Sequence, residues 1–211
     1  MKVVSVNIGQ KQSIQWRGKE VHTGIFKKPV DHPIFLGKTD VTKDQVVDRM
    51  YHGGADKACY IFSSDAYPRF KALYPNLEWS FGMFGENITI KGLDESKVSI
   101  GETYQLGEAI IQIAQPRQPC YKLGVKFGDQ KIVKDFIAAP HPGIYIRVIK
   151  EGLVKTGDEM KLKSQPELPL SLLDVHRLIY SPTSEDKEQI KAAIKNEFLA
   201  GDCKETLKKK L

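Results

Sequence analysis

One cysteine with positive neighbours is the residue of this sequence best placed to do chemistry. Cys120 follows two prolines, Pro116 and Pro119. It also lies between two cations, Arg117 and Lys122. The thiolate is the form of cysteine that attacks electrophiles and binds soft metals, and nearby cations favour it. We therefore predict that Cys120 is a metal ligand or a nucleophile. The alternative is a small buried residue that closes a turn, which is the ordinary role of an unpaired cysteine.

The residues around Cys120 predict the elements that position it. Residues 110–114 form an alternating, β-branched run that ends close to Pro116. Proline cannot donate to a sheet ladder, so the run reads as a strand that delivers its last residues to a rim. A helix that begins near Tyr121 would add backbone N–H groups, which also favour a thiolate. Cys120 is therefore expected just beyond the end of a strand, at the rim of the sheet, where a ligand can reach it.

A second stretch contains candidate anion-binding residues. Gly53 and Gly54 follow His52 and precede Asp56, which can cap a coming helix. Backbone N–H groups at such a start can hold an anion. His52 would add a switchable positive charge and Lys57 a permanent one. The alternative is that the glycines only turn the chain and Asp56 only caps the helix.

A third stretch, Phe84-Gly85-Glu86-Asn87, is a glycine-containing loop that enters a strand. The amide of Asn87 can bond the edge of a heterocycle, or it can bond its own backbone. The spacing alone favours the backbone.

Composition indicates an ordinary globular protein: 211 residues, 41% hydrophobic and 27% charged. Three cysteines without a CxxC pair argue against a disulfide framework and for a reducing compartment. The N-terminus lacks a charged region with a long apolar core, and no run approaches ~18 apolar residues. We expect a soluble, cytoplasmic protein without a membrane partner.

The formal net charge of +6 permits an anionic partner, either a nucleic acid or a small phosphorylated ligand. Several lysines lie near the C-terminus, at positions 204 and 208–210, where they suit a solvated helix end. The sequence contains no RRM, KH, zinc-finger or helix-turn-helix signature. Nucleic acid is therefore the less favoured partner.

Short apolar runs broken by Gly, Pro and Asp predict an antiparallel sheet or barrel. The predicted strands are residues 3–8, 21–26, 88–90, 98–100, 103–106, 109–114 and 144–149, with a strand pair around Gly157-Asp158 that closes the barrel. Gly107 is predicted to supply the positive φ of a hairpin over residues 105–109. Residues 56–73 have the spacing of one helix or two short helices, with Pro68 as a break or first-turn proline. Another short helix is predicted over residues 132–138.

The pattern changes at residues 164–169, which form a proline-containing linker. Helical periodicity follows and predicts three short helices, with Ser184 as an N-cap and Gly201 as a C-terminal stop. We therefore predict a mostly-β (α+β) fold in two domains. Residues 1–163 form a β-barrel with inserted short helices, and residues 164–211 form a small three-helix domain.

These stretches together resemble the MOSC domain family, named from the C-terminal region of molybdenum cofactor sulfurase, in its YiiM-like branch. The matching motifs are Thr23-Gly24-Ile25 with Lys27 and Pro29, His52-Gly53-Gly54 with Asp56-Lys57-Ala58, Phe84-Gly85-Glu86-Asn87-Ile88, Gln115-Pro116-Arg117 with Pro119-Cys120, Gly143 through Arg147, and Gly157-Asp158. They follow the family's order over residues 1–163, and the remainder resembles the branch's three-helix appendage. Two sites depart from the family's common forms: Ala55 stands where proline is frequent, and Thr42-Lys43-Asp44 where a Gly-Asp pair often stands.

The resemblance implies a mostly-β barrel that binds molybdenum cofactor, with Cys120 as the protein ligand to the metal. A soft thiolate suits a metal that is already held by dithiolene sulfurs. The resemblance further implies reduction of small N-hydroxylated compounds, including hydroxylaminopurine-type bases. The electrons would come from an external donor protein, because the sequence has no flavin, iron–sulfur or NAD motif. The residues implied to bind the cofactor are Lys27, His52, Gly53, Lys57, Asn87 and Arg117.

Two other functions remain open. The protein is alternatively a cofactor carrier or sulfur-transfer module, in which Cys120 holds cofactor or persulfide without turnover. The less favoured alternative is a nucleic-acid-binding barrel. Bound molybdenum would distinguish the reductase and the carrier from the nucleic-acid-binding barrel. Reductive turnover would distinguish the reductase from the carrier.

The three cysteines are predicted to differ in reactivity. Cys59 lies in an apolar segment, where burial favours the neutral thiol. Cys203 lies in the lysine-rich tail and is expected to be exposed. Cys120 is expected to alkylate at least as fast as Cys203, with Cys59 slowest.

Overall fold

The structure of the protein, a computed structural model, describes residues 1–45, 47 and 53–211. Its strands are β1 (Lys2–Gly9), β2 (Gln12–Trp16), β3 (Lys19–Thr23), β4 (Lys27–Val30), β5 (Ile34–Leu36), β6 (Cys59–Ser63), β7 (Ile88–Lys91), β8 (Ser99–Ile100), β9 (Thr103–Leu106), β10 (Ala109–Pro116), β11 (Ile144–Lys150), β12 (Gly152–Val154), β13 (Met160–Ser164) and β14 (Leu170–Ser171). Its α-helices are α1 (Tyr67–Leu73), α2 (Tyr121–Phe127), α3 (Lys131–Ile137), α4 (Leu172–Tyr180), α5 (Lys187–Lys195) and α6 (Gly201–Lys208). The predicted mostly-β (α+β) class is confirmed.

Within the described residues, eight strands form the main sheet, in the order β13-β9-β10-β11-β6-β7-β1-β4. Neighbouring strands are antiparallel, except that β6 and β7 run parallel. Branched side chains such as Ile111, Ile113, Ile144 and Ile146 are fully buried against it. The centre of the sheet matters for the site because β10, one of its longest strands, leads directly to Cys120.

The main sheet does not close into a complete barrel. Over the described ranges its outer strands, β13 and β4, do not pair with each other. β1 instead meets the start of β13 through one isolated bridge, between Lys2 and Glu159. The predicted closing strand pair is also wrong, because β12 pairs with β5 and β13 pairs with β9. The turn between β12 and β13 is bonded to Val3, which donates to Asp158 and accepts from Gly157, and this separates the two strands.

The helix predicted over residues 56–73 is wrong in its first half. A short 3-10 helix, Ala55–Lys57, leads into β6, which is buried along its whole length between β11 and β7. The second half is helical as predicted: a 3-10 helix, Ser64–Ala66, leads into α1, which has Pro68 in its first turn. A strand buried on both faces is apolar throughout, and periodicity cannot distinguish such a run from a buried helix.

Two local predictions near the centre of the sheet are confirmed. Gly107 has a φ of 55° and turns β9 into β10, which pair in antiparallel fashion. α3 forms within one residue of the predicted bounds. A further hairpin, β2 and β3, places Trp16 against α2, where its ring stacks on Tyr121 with centroids 4.6 Å apart.

Residues 164–211, all of which are described, contain the three predicted helices α4, α5 and α6. Their predicted caps are wrong. Thr183 rather than Ser184 forms the capping box, with Asp186. α5 ends at Lys195, and the side chain of Asn196 accepts from the backbone N–H groups of Phe198 and Leu199. Gly201 is therefore free to begin α6. None of the helices in the described ranges is long and apolar enough to cross a lipid bilayer.

The C-terminal helices and the sheet share one hydrophobic core. Buried side chains of α4, including Val175 and Leu178, belong to the same cluster as Ile111 and Ile113 of β10. Arg147 of β11 also donates to the carbonyl oxygen of Phe198 at 2.6 Å. The division into residues 1–163 and 164–211 stays a prediction, and the buried cluster continues across it.

Candidate functional site

Every predicted site residue that the structure describes lines one pocket, which we call the first chamber. These residues are Lys27, Gly53, Lys57, Asn87, Arg117 and Cys120. The chamber has about 730 Å³ of space between its walls, its open mouth included. His52 lies outside the described residues. The roles of these side chains in binding a ligand stay predictions.

Cys120 reaches the chamber from the end of β10. It is the N-cap residue of α2, and its side chain makes no capping hydrogen bond. Its predicted position, between a strand and a new helix, is confirmed. Cys120 is partly exposed, whereas Cys59 and Cys203 are buried. The expectation that Cys203 is exposed is therefore wrong, because α6 packs this residue against the core.

Arg117 is a buried cation held between aromatic rings. Its guanidinium carbon lies 4.8 Å from the ring centroid of Tyr60 and 5.1 Å from that of Phe136. The residue is only 5% exposed. A guanidinium carries several N–H donors in a rigid fork, which suits a phosphate or carboxylate. A buried charge in this position gains free energy from an anionic ligand in the chamber.

Lys27 is paired with an acid that the sequence analysis did not single out. Its ammonium group bonds Asp44, and both side chains are buried. The other oxygen of Asp44 accepts from Gly9 N at 2.7 Å. The charge of Lys27 is thus largely balanced within the protein. Asp44 could have been suspected only as the acid of the atypical Thr42-Lys43-Asp44 motif.

Asn87 holds this ion pair in place. Its Nδ2 atom donates to Asp44 at 3.0 Å and to the carbonyl oxygen of Asn7 at 3.4 Å. Its Oδ1 atom accepts from the backbone N–H of Tyr60 at 3.3 Å. The amide is therefore engaged by both side chain and backbone. Its contact with a heterocycle stays a prediction.

The two departures from the family's common forms have local structural consequences. Lys43 has a φ of 68°, the left-handed conformation that glycine adopts without strain. A non-glycine residue there costs about 1–2 kcal/mol. Ala55 is the first residue of its 3-10 helix, where proline is well tolerated because its φ suits a helix start. Both departures leave the charged residues of the chamber in place.

One of the remaining predicted residues, Lys57, connects the chamber to the C-terminal helices. Lys57 forms an ion pair with Asp202 of α6. Gly53 and Gly54 have φ values of 89° and 83°, which explains two successive glycines before the 3-10 helix. Lys122, at 6% exposure, also lines the chamber. Three permanent cations besides Lys27 thus surround Cys120 in the described structure.

A further lysine, Lys126, is partly buried beside the chamber. Its ammonium group donates to the carbonyl oxygens of Ile25 at 2.9 Å and Gly82 at 2.6 Å. Burial, with smaller contributions from Arg117 and Lys27, lowers the pKa of Lys126 to about 7. These two hydrogen bonds connect α2 to the loop after β3, which carries Ile25, and to the loop before β7, which carries Gly82.

Cys120 also borders a second cavity, which we call the second chamber. It has a volume of about 1410 Å³, its open mouth included. Its walls come mainly from the end of β10, the start of α2, β11 and α6: Lys57, Gln115, Pro116, Gln118, Pro119, Cys120, Tyr121, Lys122, Tyr145, Asp202, Glu205, Thr206 and Lys209. Cys120 and Tyr145 are among the residues that line both chambers, with Lys57, Gln118 and Lys122. Burial raises the pKa of Tyr145 to about 12, so this phenol stays protonated at neutral pH. The cysteine therefore lies where the two chambers meet.

The residues around Cys120 fit a cofactor that supplies most of its own metal ligands. Across residues 1–45, 47 and 53–211, no group of three or more His, Cys, Asp and Glu side chains could hold a metal ion. A metal at Cys120 would receive one thiolate from the described chain and would need sulfur or oxygen donors from the cofactor. Buried Arg117 suits an anionic group on the same cofactor.

We predict that Cys120 reacts with limiting iodoacetamide faster than either other cysteine. It is partly exposed, whereas burial raises the pKa of the Cys59 thiol above its usual range and that of Cys203 to about 12. Peptide mass spectrometry of the folded apo protein would give the three rates. Bound cofactor should protect Cys120 alone. Equal labelling of Cys203 and Cys120 in folded protein would contradict this prediction.

Comparison with known families gives a match to the MOSC domain over residues 48–161. YflK of Bacillus subtilis (strain 168) is 37% identical over 178 residues, 84% of this chain and 80% of YflK. A protein of Gibberella moniliformis (strain M3125 / FGSC 7600) named "Reductase" is 32% identical over 165 residues, 77% of this chain and 29% of that protein. This chain therefore spans less than a third of the Gibberella protein.

Comparison with solved structures matches the whole fold. The crystal structure of YiiM from Geobacillus stearothermophilus has a TM-score of 0.81 and 30% sequence identity, and the match covers 100% of this chain and 98% of that one. The similarity includes the C-terminal helices as well as the sheet, because the coverage is complete. The family match over more than half of the chain, with these relatives, shows that the chain belongs to the MOSC domain family, in its YiiM-like branch.

Proposed function

We propose that this protein is a molybdenum-cofactor-dependent reductase of N-hydroxylated compounds, with Cys120 as its ligand to the metal. The observation that carries the proposal is the position of Cys120, a partly exposed thiol where two chambers meet, with Arg117, Lys57 and Lys122 around it. Membership of a family associated with molybdenum cofactor supports the choice of cofactor. The name of the Gibberella moniliformis relative supports a reductive reaction.

The reaction is a two-electron reduction: R–NHOH, two electrons and two protons give R–NH2 and water. The N–O bond breaks, and its oxygen leaves as water. The electrons would come from an external electron-donor protein. The cofactor, when bound, would supply a metal that accepts an oxygen atom and changes its oxidation state by two electrons.

The chain would contribute binding, orientation and proton placement. Arg117 would hold an anionic group of the cofactor in the first chamber, and Lys57 would support it near the opening. Asp44 and Asn87 would keep Lys27 in a fixed position behind the ligand. Tyr145, protonated at neutral pH and lining both chambers, would hold a proton beside the reacting nitrogen or oxygen.

The direct test is turnover by protein produced in cells that synthesise molybdenum cofactor. The holo protein would be mixed with 6-hydroxylaminopurine and a reduced viologen as artificial electron donor, and adenine would be quantified against a protein-free control. We expect adenine to form in proportion to bound molybdenum. Molybdenum-containing protein that forms no amine would overturn the reductase and favour the carrier or sulfur-transfer function.

We predict that Arg117→Ala weakens cofactor retention more than it slows the cofactor that remains bound. A charge contact with an anionic group contributes equally to ground and transition states, so its loss lowers occupancy rather than the rate per molybdenum. Losing a charge-assisted hydrogen bond should weaken retention about tenfold or more. Molybdenum content after dialysis and turnover per molybdenum would separate the two effects.

The matched control is Arg69→Ala, on the exposed face of α1. It should retain the cofactor as the wild type does. Equal occupancy in Arg117→Ala and Arg69→Ala would remove Arg117 from the cofactor site.

A further inference from the structure

His141 and Glu95 form a partly buried pair that the proposed mechanism does not use. The Nδ1 atom of His141 lies 2.8 Å from Oε2 of Glu95, whose side chain is fully buried. The other carboxylate oxygen of Glu95, Oε1, has no hydrogen-bond partner among the described residues. A buried carboxylate with so few partners needs a positive charge beside it, because an uncompensated buried charge is strongly destabilising. Protonated His141 supplies that charge.

Two further acids act on the same imidazole. The hydrogen bond with Glu95 raises the pKa of His141 above its usual range, and burial opposes this rise. The negative charges of Glu95, Asp65 and Asp94 raise the pKa further. Asp94 is itself paired with Lys97 at 2.9 Å. His141 therefore keeps its proton to a higher pH than an ordinary histidine does.

The turn between α3 and β11 carries His141 and also supports Arg117. The carbonyl oxygen of Gly143 accepts from the backbone N–H of Arg117 at 3.2 Å. The carbonyl oxygen of Pro142 lies 3.5 Å from the hydroxyl of Tyr60, and the Arg117 guanidinium lies over the ring of Tyr60. A Cβ atom at Gly143 would come within 2.6 Å of this ring, so the turn packs closely against it. The turn thus contacts both the backbone of Arg117 and the ring that its guanidinium covers.

We propose that His141 and Glu95 are positioning residues for Arg117. While His141 is protonated, the pair holds the turn, and the turn holds the guanidinium where it binds an anion in the first chamber. Neither His141 nor Glu95 is among the residues that line this chamber, so both act through the turn. This inference rests on the proposed function, because it takes Arg117 as the residue that binds the cofactor's anionic group.

The direction of the pH effect follows from the raised pKa of His141. The contribution of the pair is complete below the ordinary histidine pKa of about 6.5, and it is lost as the pH rises through the higher pKa of the folded protein. The first chamber should therefore bind anions more tightly at pH 6 than at pH 9. Arg117 keeps its own charge over this range. Lys126 loses its charge there, since its pKa is about 7, so only a comparison with variants of the pair isolates His141.

The test measures sulfate binding to the full chain without cofactor by isothermal titration calorimetry at pH 6 and pH 9. Sulfate keeps the same charge at both pH values. His141→Gln retains an N–H donor for Glu95 but cannot become charged. At pH 6 it should bind sulfate about fivefold or more weakly than the wild type, the usual size of a coupling between two sites, and at pH 9 the two proteins should bind equally. His32→Gln, an exposed position between β4 and β5, should match the wild type at both pH values.

The same coupling is measurable in the unmutated protein. Because coupling between two binding events is reciprocal, saturating sulfate should raise the pKa of His141, as followed by NMR titration of its ring. The pKa of His32 should not change. A histidine that only stabilises the turn would lower the melting temperature when replaced, but its proton would not respond to sulfate. Arg117→Ala should abolish both sulfate binding and the response of His141.

Three results would overturn the inference: no sulfate binding by the wild type, an equal pH dependence in wild type and His141→Gln, or a pKa of His141 that sulfate does not change. The NMR titration gives its answer even if His141→Gln does not fold. Since all these measurements use protein without cofactor, a positive result would stand even if the holo protein formed no amine. Reduction of 6-hydroxylaminopurine together with any of the three results would leave the reductase standing and reject the role of the pair.

Discussion

Replacing Cys120 with serine is expected to abolish reduction of N-hydroxylated substrates and leave thermal unfolding almost unchanged. A serine hydroxyl is protonated at neutral pH and is a poor ligand for a metal that prefers sulfur. Mutating a residue that only hydrogen-bonds a metal ligand typically lowers metal affinity or enzyme activity about 10–100-fold. Loss of the ligand itself should therefore lower activity more than about 100-fold. The side chain of Cys120 is partly exposed and makes no capping bond, so stability should change by less than about 0.5 kcal/mol.

The matched control for this prediction is Cys203→Ser. Cys203 is fully buried in the core, so its polar replacement should lower the melting temperature while turnover per molybdenum persists. Steady-state kinetics and differential scanning calorimetry on both variants should therefore show opposite patterns. Normal turnover by Cys120→Ser would show that this thiol is not the essential ligand.

The sequence pattern alone predicts that a chain ending at Ser164 still folds, but the hydrophobic core shared by the sheet and the C-terminal helices leads us to expect that removing these helices unfolds the sheet. The buried apolar residues that would be lost include Leu172, Val175, Leu178, Ile179, Ile190, Leu199 and Leu207. Each fully buried side chain of this kind contributes about 1.5–3 kcal/mol. Their sum is comparable to the ~5–15 kcal/mol of net stability that a whole domain has. The truncated protein would also expose β10, the strand that carries Cys120 to the site.

Circular dichroism and dispersed NMR spectra would decide whether the truncated chain folds. Two point variants of the full chain test the same idea without the aggregation that a truncated chain risks. Leu178→Ala should lower the free energy of unfolding by about 2–5 kcal/mol, because this side chain is 1% exposed. Leu168→Ala should cost almost nothing, because Leu168 is 84% exposed. A truncated chain that melts cooperatively at the temperature of the full chain would establish residues 1–163 as an independent domain.

The parts of the site that could be predicted from the sequence depend on local chemistry. Two prolines and an alternating run before Cys120 indicate a strand end, and they place the cysteine correctly at the start of α2. Gly107 fits its hairpin for an equally local reason, since its positive φ is easily adopted only by glycine. Neighbours within a few residues determine these features.

The parts that could not be predicted depend on pairing between distant segments. β6 is apolar on both faces because Cys59 and Ile61 pack into one hydrophobic cluster and Tyr60 and Phe62 into another. The sequence around Cys59 does not distinguish this arrangement from a helix. The ion pair of Lys27 with Asp44 joins residues 17 positions apart. The burial of Gln115 depends on its pairing with Tyr145 of β11. Burial and unmet hydrogen bonds appear only when the chain is folded.

The central claim is that Cys120 binds the metal of a molybdenum cofactor, and the most direct measurement is the molybdenum and pterin content of purified protein. Wild type and Cys120→Ser would be produced in parallel in cells that synthesise the cofactor and analysed by inductively coupled plasma mass spectrometry and pterin fluorescence. We predict molybdenum and pterin in equal amounts in the wild type, and loss of molybdenum from Cys120→Ser with the fold intact. Wild-type protein without molybdenum, or equal molybdenum in both proteins, would contradict the claim.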